Sequence, residues 1–344
     1  MSAILAASRR RSIMWVAGAA CAAALLGVLS FLPPARPPVR AEVGEKVLPD
    51  FAANADKVQL VMVTTSEEVY HLVRNGDAAN PEWVLAEKGS YPVDPERIAE
   101  LNRALSTITY ARPMTRDERK FDRIGLGDPA TGGTGALLEV GDGSGTSFAK
   151  LLAGYRDGRS YVRLTDDLQA WAVEGAVLPP LQRGARWLDL DVIDVEPGEI
   201  ADVLVRPSQG PSYRLVAAET TGQQYTLAPP FAMRRPVTNL AFAMAGQSLA
   251  RFAPVDVARA DTVATGRPLA EHVTRLRSGV AVILHSWRAN DRFWVTVGAA
   301  ADERASPEAV AEAQAINQRA AGWAFALTEL DWKPFSLPLS ELVE

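Results

Sequence analysis

An uncharged apolar stretch at residues 13–32 constrains this chain more than any other feature. It follows Arg9, Arg10 and Arg11 and is closed by Pro33 and Pro34. A bilayer core of roughly 30 Å is crossed by about 20 apolar helical residues, so the stretch predicts a single transmembrane helix. The basic tip at 1–12 is expected to stay in the cytoplasm, which sends the rest of the chain outward. The predicted location is the bacterial inner membrane, single-pass, with the bulk of the chain periplasmic. A cleaved signal also begins with charge and an apolar core, but its cleavage site needs small residues in an AxA-like pattern. Ser30, Phe31, Leu32, Pro33 and Pro34 occupy that place and favour retention as an anchor. Cys21 after Gly18, Ala19 and Ala20 faintly resembles a lipoprotein site, yet the apolar run continues past it. Ser8, Arg9 and Arg10 are an equally weak twin-arginine echo.

With 344 residues, 48% of them hydrophobic, the part beyond the stretch is long enough for two or three modest cores. A net charge of -5 gives the chain as a whole no basic field for nucleic acid phosphates or an anionic membrane surface, which disfavours nucleic acid as a partner. The one cysteine lies in the predicted membrane segment, so disulfides, thiolate metal sites and a cysteine nucleophile are not expected beyond it.

A proline-rich spacer at 33–47 is expected to lead to folded structure from Leu48 onward. Residues 57–64 alternate as a strand, 68–74 and 83–86 read as two more, and Asp94 and Pro95 open a helix with Ile98, Leu101, Leu105 and Ile108 on one stripe before Pro113. This is a first α+β unit, 48–125. A β meander at 126–187 follows, with strands at 136–140, 147–152, 160–164 and 169–173. The order then returns in a second α+β unit, 188–260: strands at 200–205, 212–217 and 225–227, and a helix over 236–252 carrying Leu240, Met244 and Phe252. A third, looser unit at 261–344 has strands from Val280 and Phe293 and a helix capped by Ser306 and begun by Pro307, with Val310, Ile316, Ala320 and Trp323 toward one side. The predicted fold class is α+β: an N-terminal transmembrane helix, then an ectodomain of antiparallel sheets with packed helices in repeated β-β-β-α units.

The phrases LPDFAANADKV, WVLAEKGSYPVDPERIAEL, IGLGDP, RSYVRL, WLDLDVIDV and NQRAAGWAFAL, spread over nearly the whole ectodomain, resemble the family known as domain of unknown function 4340. The resemblance implies an N-terminal membrane segment, an envelope-exposed domain and an association with transport proteins of the gliding-motility ABC type. It supplies no active-site residues. The final LTELDWKPFSLPLSELVE departs from the shorter, more helical ending expected of the family.

Chemistry is sparse in the sequence. Ser147 and Lys150 have SxxK spacing, but no KTG partner exists, and on the predicted strand their side chains point to opposite faces. Asp189, Asp191, Asp194, Glu196 and Glu199 lack the alternation and central glycine of a calcium loop, so a solvated strand edge is expected. His71, His272 and His285 have no second histidine at metal-ligand spacing. Neither a phosphate-cradling glycine loop nor a GxSxG elbow is present. Trp287, Trp294, Trp323 and Trp332 are candidates for partner contact, with core packing as their ordinary use. No catalytic, cofactor-binding or metal-binding residue is assigned, and no cofactor is implied. The expected function is that of a non-enzymatic, membrane-anchored periplasmic accessory or scaffold protein, an auxiliary subunit of an ABC-type transport complex. Its partners would be the inner membrane through residues 13–32 and other envelope or transport proteins. The alternative is a periplasmic ligand-binding or hydrolytic domain acting on cell-wall glycan or peptide, with paired carboxylates or a serine and its base in a cleft.

Overall fold

The structure, a computed structural model, describes residues 41–76, 82–218, 224–238 and 240–344. The predicted transmembrane segment 13–32 lies outside these. Among the described residues no helix is long and apolar enough to cross a membrane. The chain divides into two compact units, the first running to Val84 and resuming over Pro95–Gly184, the second comprising Leu85–Asp94 and Ala185–Glu344.

The first part of the chain forms β1 (Leu60–Thr64), β2 (Val69–Asn75), β3 (Glu82–Leu85), β4 (Tyr91–Pro92), helix α1 (Pro95–Thr107), β5 (Thr109–Pro113), β6 (Ala136–Gly141), β7 (Ser147–Arg156), β8 (Arg159–Leu164) and β9 (Trp171–Glu174). The strands lie in the order β4-β3-β2-β1-β6-β7-β8-β9-β5. The predicted unit 48–125 and the meander 126–187 therefore share one sheet. Val61, Met62 and Val63 of β1 are all buried, which places that strand in the sheet interior, and interior backbone groups need partners on both sides. β1 finds them in β2, where Val63 faces Tyr70, and in β6, where Val63 faces Leu138. Helix α1 buries Ile98, Leu101, Ala104 and Leu105, on the stripe its spacing predicts. It stops at Thr107, six residues before Pro113, because Thr109–Pro113 pairs with β9 as a strand.

The IGLGDP phrase is a packing device. Gly125, at φ +73°, caps a 3-10 segment over Glu118–Ile124, Leu126 is fully buried in a cluster with Phe121, Leu152 and Tyr161, and Asp128 caps the next turn ahead of Pro129. Beneath it the backbone of β7 comes so close that a Cβ on Gly154 would lie 2.1 Å from the Gly125 carbonyl oxygen. Backbone cannot rotate away as a side chain can, so Gly154→Ala is expected to cost about 1–3 kcal/mol, read as a fall in the midpoint of thermal or urea unfolding.

The second unit contains β10 (Ile200–Pro207), β11 (Tyr213–Ala217), β12 (Tyr225–Leu227), α2 (Ala241–Gly246), β13 (Asp256–Arg259), α3 (Ala260–Val263), β14 (Ala270–Leu276), β15 (Val280–Ala289), β16 (Arg292–Ala301), α4 (Pro307–Ala320), β17 (Trp323–Leu327), α5 (Glu329–Ser336) and α6 (Leu339–Leu342). Its sheet order is β12-β11-β10-β14-β15-β16-β17-β13. Apart from β4, this repeats the first sheet strand for strand. Three strands step outward from the middle, a helical segment crosses to the far edge and lays down one strand there, and a four-strand meander fills the gap. The repeat is thus two large copies. The stretch predicted as a third copy at 261–344 corresponds to the meander of the first sheet, with α4 inserted between β16 and β17.

Three local expectations are corrected. The helix predicted over 236–252 is confined to Ala241–Gly246, with a 3-10 turn at Leu249–Arg251. Its buried side chains are Phe242, Ala245 and Leu249, while Leu240 and Met244 are 66% and 45% exposed; Gly246 lies against Tyr225, whose ring a Cβ would meet at 2.5 Å, and this contact turns the opposite face outward. Helix α4 buries Ala309, Ala313, Ile316 and Ala320, leaving Val310 outside the stripe. Trp323 lies on β17, because Gly322 at φ +78° has already ended the helical path. Asn317 of α4 serves the sheet directly: its Oδ1 accepts from Ala299 N at 2.8 Å and its Nδ2 donates to Ala299 O at 2.7 Å. Ala299 lies beyond Phe293–Val295, the stretch of β16 that pairs with β17, so the amide stands in for a missing strand.

Candidate functional site

The residues singled out in the sequence are dispersed. Ser147 and Lys150 sit on β7, with Lys150 Nζ 2.9 Å from Glu139 on the neighbouring strand and the Ser147 hydroxyl donating to Ala149 O at 3.3 Å. The acidic stretch also divides: Glu196 and Glu199 form a capping box around a 3-10 turn, and burial holds the Asp189 carboxyl above the usual carboxylate range. Among the described residues no group of three or more His, Cys, Asp or Glu is placed to hold a metal. His71 faces Met62 across β2 and β1. His285, on β15, lies 3.9 Å from Glu271, which also pairs with Arg206.

His272 is different. It points from β14 into the core with no exposed surface. Its Nε2 is 3.0 Å from the hydroxyl of Ser248, its Nδ1 3.4 Å from the hydroxyl of Thr274, and its ring meets Phe335 of α5 edge-on at 5.0 Å. A serine beside an imidazole is the start of a nucleophile-base pair. Here, however, Ser248 is 3% exposed, so no substrate carbonyl reaches it. The group on Nδ1 is a neutral hydroxyl, which does not stabilise the imidazolium that proton abstraction creates. The pair is a buried polar knot joining the crossing segment to β14. Sequence reading could not find it, since the partners are 24 residues apart and belong to no motif.

Burial pulls the His272 pKa from 6.5 down to about 3. In the unfolded chain the same ring titrates near 6.5. Between these values the unfolded state binds the extra proton, so stability rises with pH there and is lost as pH falls from about 6.5 toward 3, at no more than about 1.4 kcal/mol for each pH unit. His272→Gln, which keeps hydrogen-bonding capacity without titrating, is expected to flatten this part of the pH dependence. Urea midpoints for both proteins at pH 7, 5 and 4 check it.

A second locus is a pocket of about 310 Å³ in the second unit, lined by Tyr91, Asp189, Val192, Gln318, Arg319 and Trp323 among others. Its walls are held rigidly. The Tyr91 hydroxyl donates to Asp189 O at 2.9 Å, its ring stands edge-on to Trp323 at 4.9 Å, and the Arg259 guanidinium covers the Trp323 ring at 4.5 Å. Arg319 Nη1 donates to Asp191 O at 3.0 Å. An indole, a guanidinium and an amide around a small hollow suit a hydrogen-bonding ligand with a flat apolar face. Nearby, Asp256, 6% exposed, takes Lys88 at 2.6 Å and Arg292 at 2.7 Å on its carboxylate, which fixes the segment Leu85–Asp94 to β13. Of the other candidate tryptophans, Trp294 is buried with Nε1 donating to Ala289 O, Trp332 stacks on Phe293, and Trp287 is half-buried.

The two sheets share one strand order, which makes the described fold a duplicated α+β one. A family model described as domain of unknown function (DUF4340) matches residues 83–266, just over half of the chain, and the chain belongs to that family. Comparison with curated proteins finds no match.

Proposed function

We propose that this protein is a non-enzymatic accessory or scaffold protein of the cell envelope, tethered by the apolar stretch at 13–32 and acting as an auxiliary subunit of an ABC-type transport complex. The observation that carries the non-enzymatic part is the state of Ser248 and His272: the pair with the right atoms for hydrolysis lies inside the core and lacks a carboxylate to orient it. The membrane tether is supported by the length and flanks of the 13–32 stretch. Purification of the tagged full-length protein from detergent-solubilised membranes tests the reading. Stoichiometric recovery with transporter subunits is the expected result, and recovery of the protein alone overturns it.

The pocket at Trp323 favours a second reading, a domain that binds cell-wall glycan or peptide. Titration of the full-length protein with solubilised peptidoglycan fragments, followed by tryptophan fluorescence, separates the two. A saturable change that Trp323→Ala weakens tenfold or more supports binding there, whereas an unchanged spectrum at millimolar fragment removes it.

A further inference from the structure

The segment between β12 and β13 has an outer face that the fold leaves uncovered. Met233, Val237, Leu240 and Met244 are 94%, 45%, 66% and 45% exposed. Leu240 and Met244 lie one helical turn apart, since Met244 N donates to Leu240 O at 2.8 Å, and so they share a side of α2. The inner side of the same segment is well anchored: Phe242, Ala245 and Leu249 are buried, Val237 N donates to Leu342 O, and Pro236 bridges to Val343. This is a platform fixed from below with aliphatic and thioether side chains standing out of it.

Its charge is equally distinctive. The chain carries 41 acidic residues in 344, about one in eight, yet residues 220–255 contain none while holding Arg234, Arg235 and Arg251. Arg234 and Arg235 are exposed within the apolar run itself. Arg234 Nη1 donates to Glu344 O at 3.2 Å and Arg251 Nη2 to Gln247 Oε1 at 2.8 Å, contacts that leave further donors on each guanidinium. Exposed Met, Leu and Val beside arginine, in a stretch with no acidic residue of its own and with Glu344 held against Arg234 and Arg235 by backbone contacts, complement a surface that is apolar at depth and anionic at its rim.

We propose that this face seats on an anionic phospholipid bilayer, Met233, Leu240 and Met244 entering the headgroup–acyl boundary and Arg234 and Arg235 pairing with lipid phosphates. Shallow insertion of aliphatic side chains below a basic rim is the general mode of interfacial attachment, and each basic group near an anionic leaflet strengthens it roughly fivefold. The inference rests on the tethered reading above, because a chain held at the membrane needs only weak surface affinity to stay seated. It also fixes a role for the second unit: orienting the scaffold against the bilayer.

The test uses the full-length chain with Cys21→Ser, carrying an environment-sensitive fluorophore on Leu240→Cys or Met244→Cys. The protein is reconstituted in nanodiscs of phosphatidylcholine alone or of phosphatidylcholine with three-tenths phosphatidylglycerol. The expected result is a blue-shifted emission in the phosphatidylglycerol discs, several-fold weaker in the phosphatidylcholine discs and abolished by Arg234→Glu with Arg235→Glu. Equal emission in the two disc types overturns the proposal, whether the label is exposed in both or covered in both by a second copy or by residues 1–40. If the chain co-isolates with discs while the label stays insensitive to lipid charge, this inference falls and the tether stands. If it does not co-isolate with discs at all, both fall.

Discussion

Each sheet depends on one non-local pairing, that between the strand laid down after the crossing segment and the last strand of the meander. β5 waits for β9, with Tyr110 opposite Val173, and β13 waits for β17, with Val257 opposite Phe325. In the second unit some sixty residues separate the partners, and loop closure over that distance is unfavourable until the intervening strands have formed. What offsets it is burial on both sides: Val257, Ala324, Phe325 and Ala326 are almost wholly inaccessible. The Asp256 carboxylate, gripped by Lys88 and Arg292, holds the start of β13 in place. A buried carboxylate left without these cations would be costly, so the ion cluster specifies the position of the edge strand more than it adds stability.

Elements with local signals were legible in the sequence. The alternating hairpins at β1–β2, β10–β11 and β15–β16, the meander strands and the proline-started helices α1 and α4 all appear close to where periodicity and capping place them. Strands that hide their pattern were not. β14 turns Ala270, His272, Thr274 and Leu276 inward and Glu271 and Arg275 outward, so its buried face contains two polar residues and its alternation looks unremarkable. β17, with its run of buried residues after Trp323, has no alternation because both of its faces are covered, and it follows an alanine-rich helix from which only Gly322 divides it. β5 and β13 are four or five residues long and take their conformation from partners far along the chain. The period of the repeat is hidden for the same reason: a β-β-β-α signature is visible locally, whereas strand order is a property of the closed sheet.

The candidate sites were less legible still. Ser248 and His272 come together only because the crossing segment passes over β14. Tyr91, Asp189 and the Arg319–Trp323 pair come from three separate stretches. The phrases that mark the family, where the structure accounts for them, are about folding: IGLGDP builds a glycine-lined crossing over β7, and the tryptophan of NQRAAGWAFAL is wedged between Tyr91 and Arg259.

Hydrogen exchange followed by mass spectrometry, comparing the protein with its Val257→Ala variant, tests the closing pairing most directly. Removal of two methyl groups at that buried position is expected to raise deuterium uptake in peptides from β13 and, to a smaller extent, from β17, whose groups facing β13 lose their partners while those facing β16 keep theirs. Faster uptake in β13 alone, with β17 as protected as before, would contradict the account.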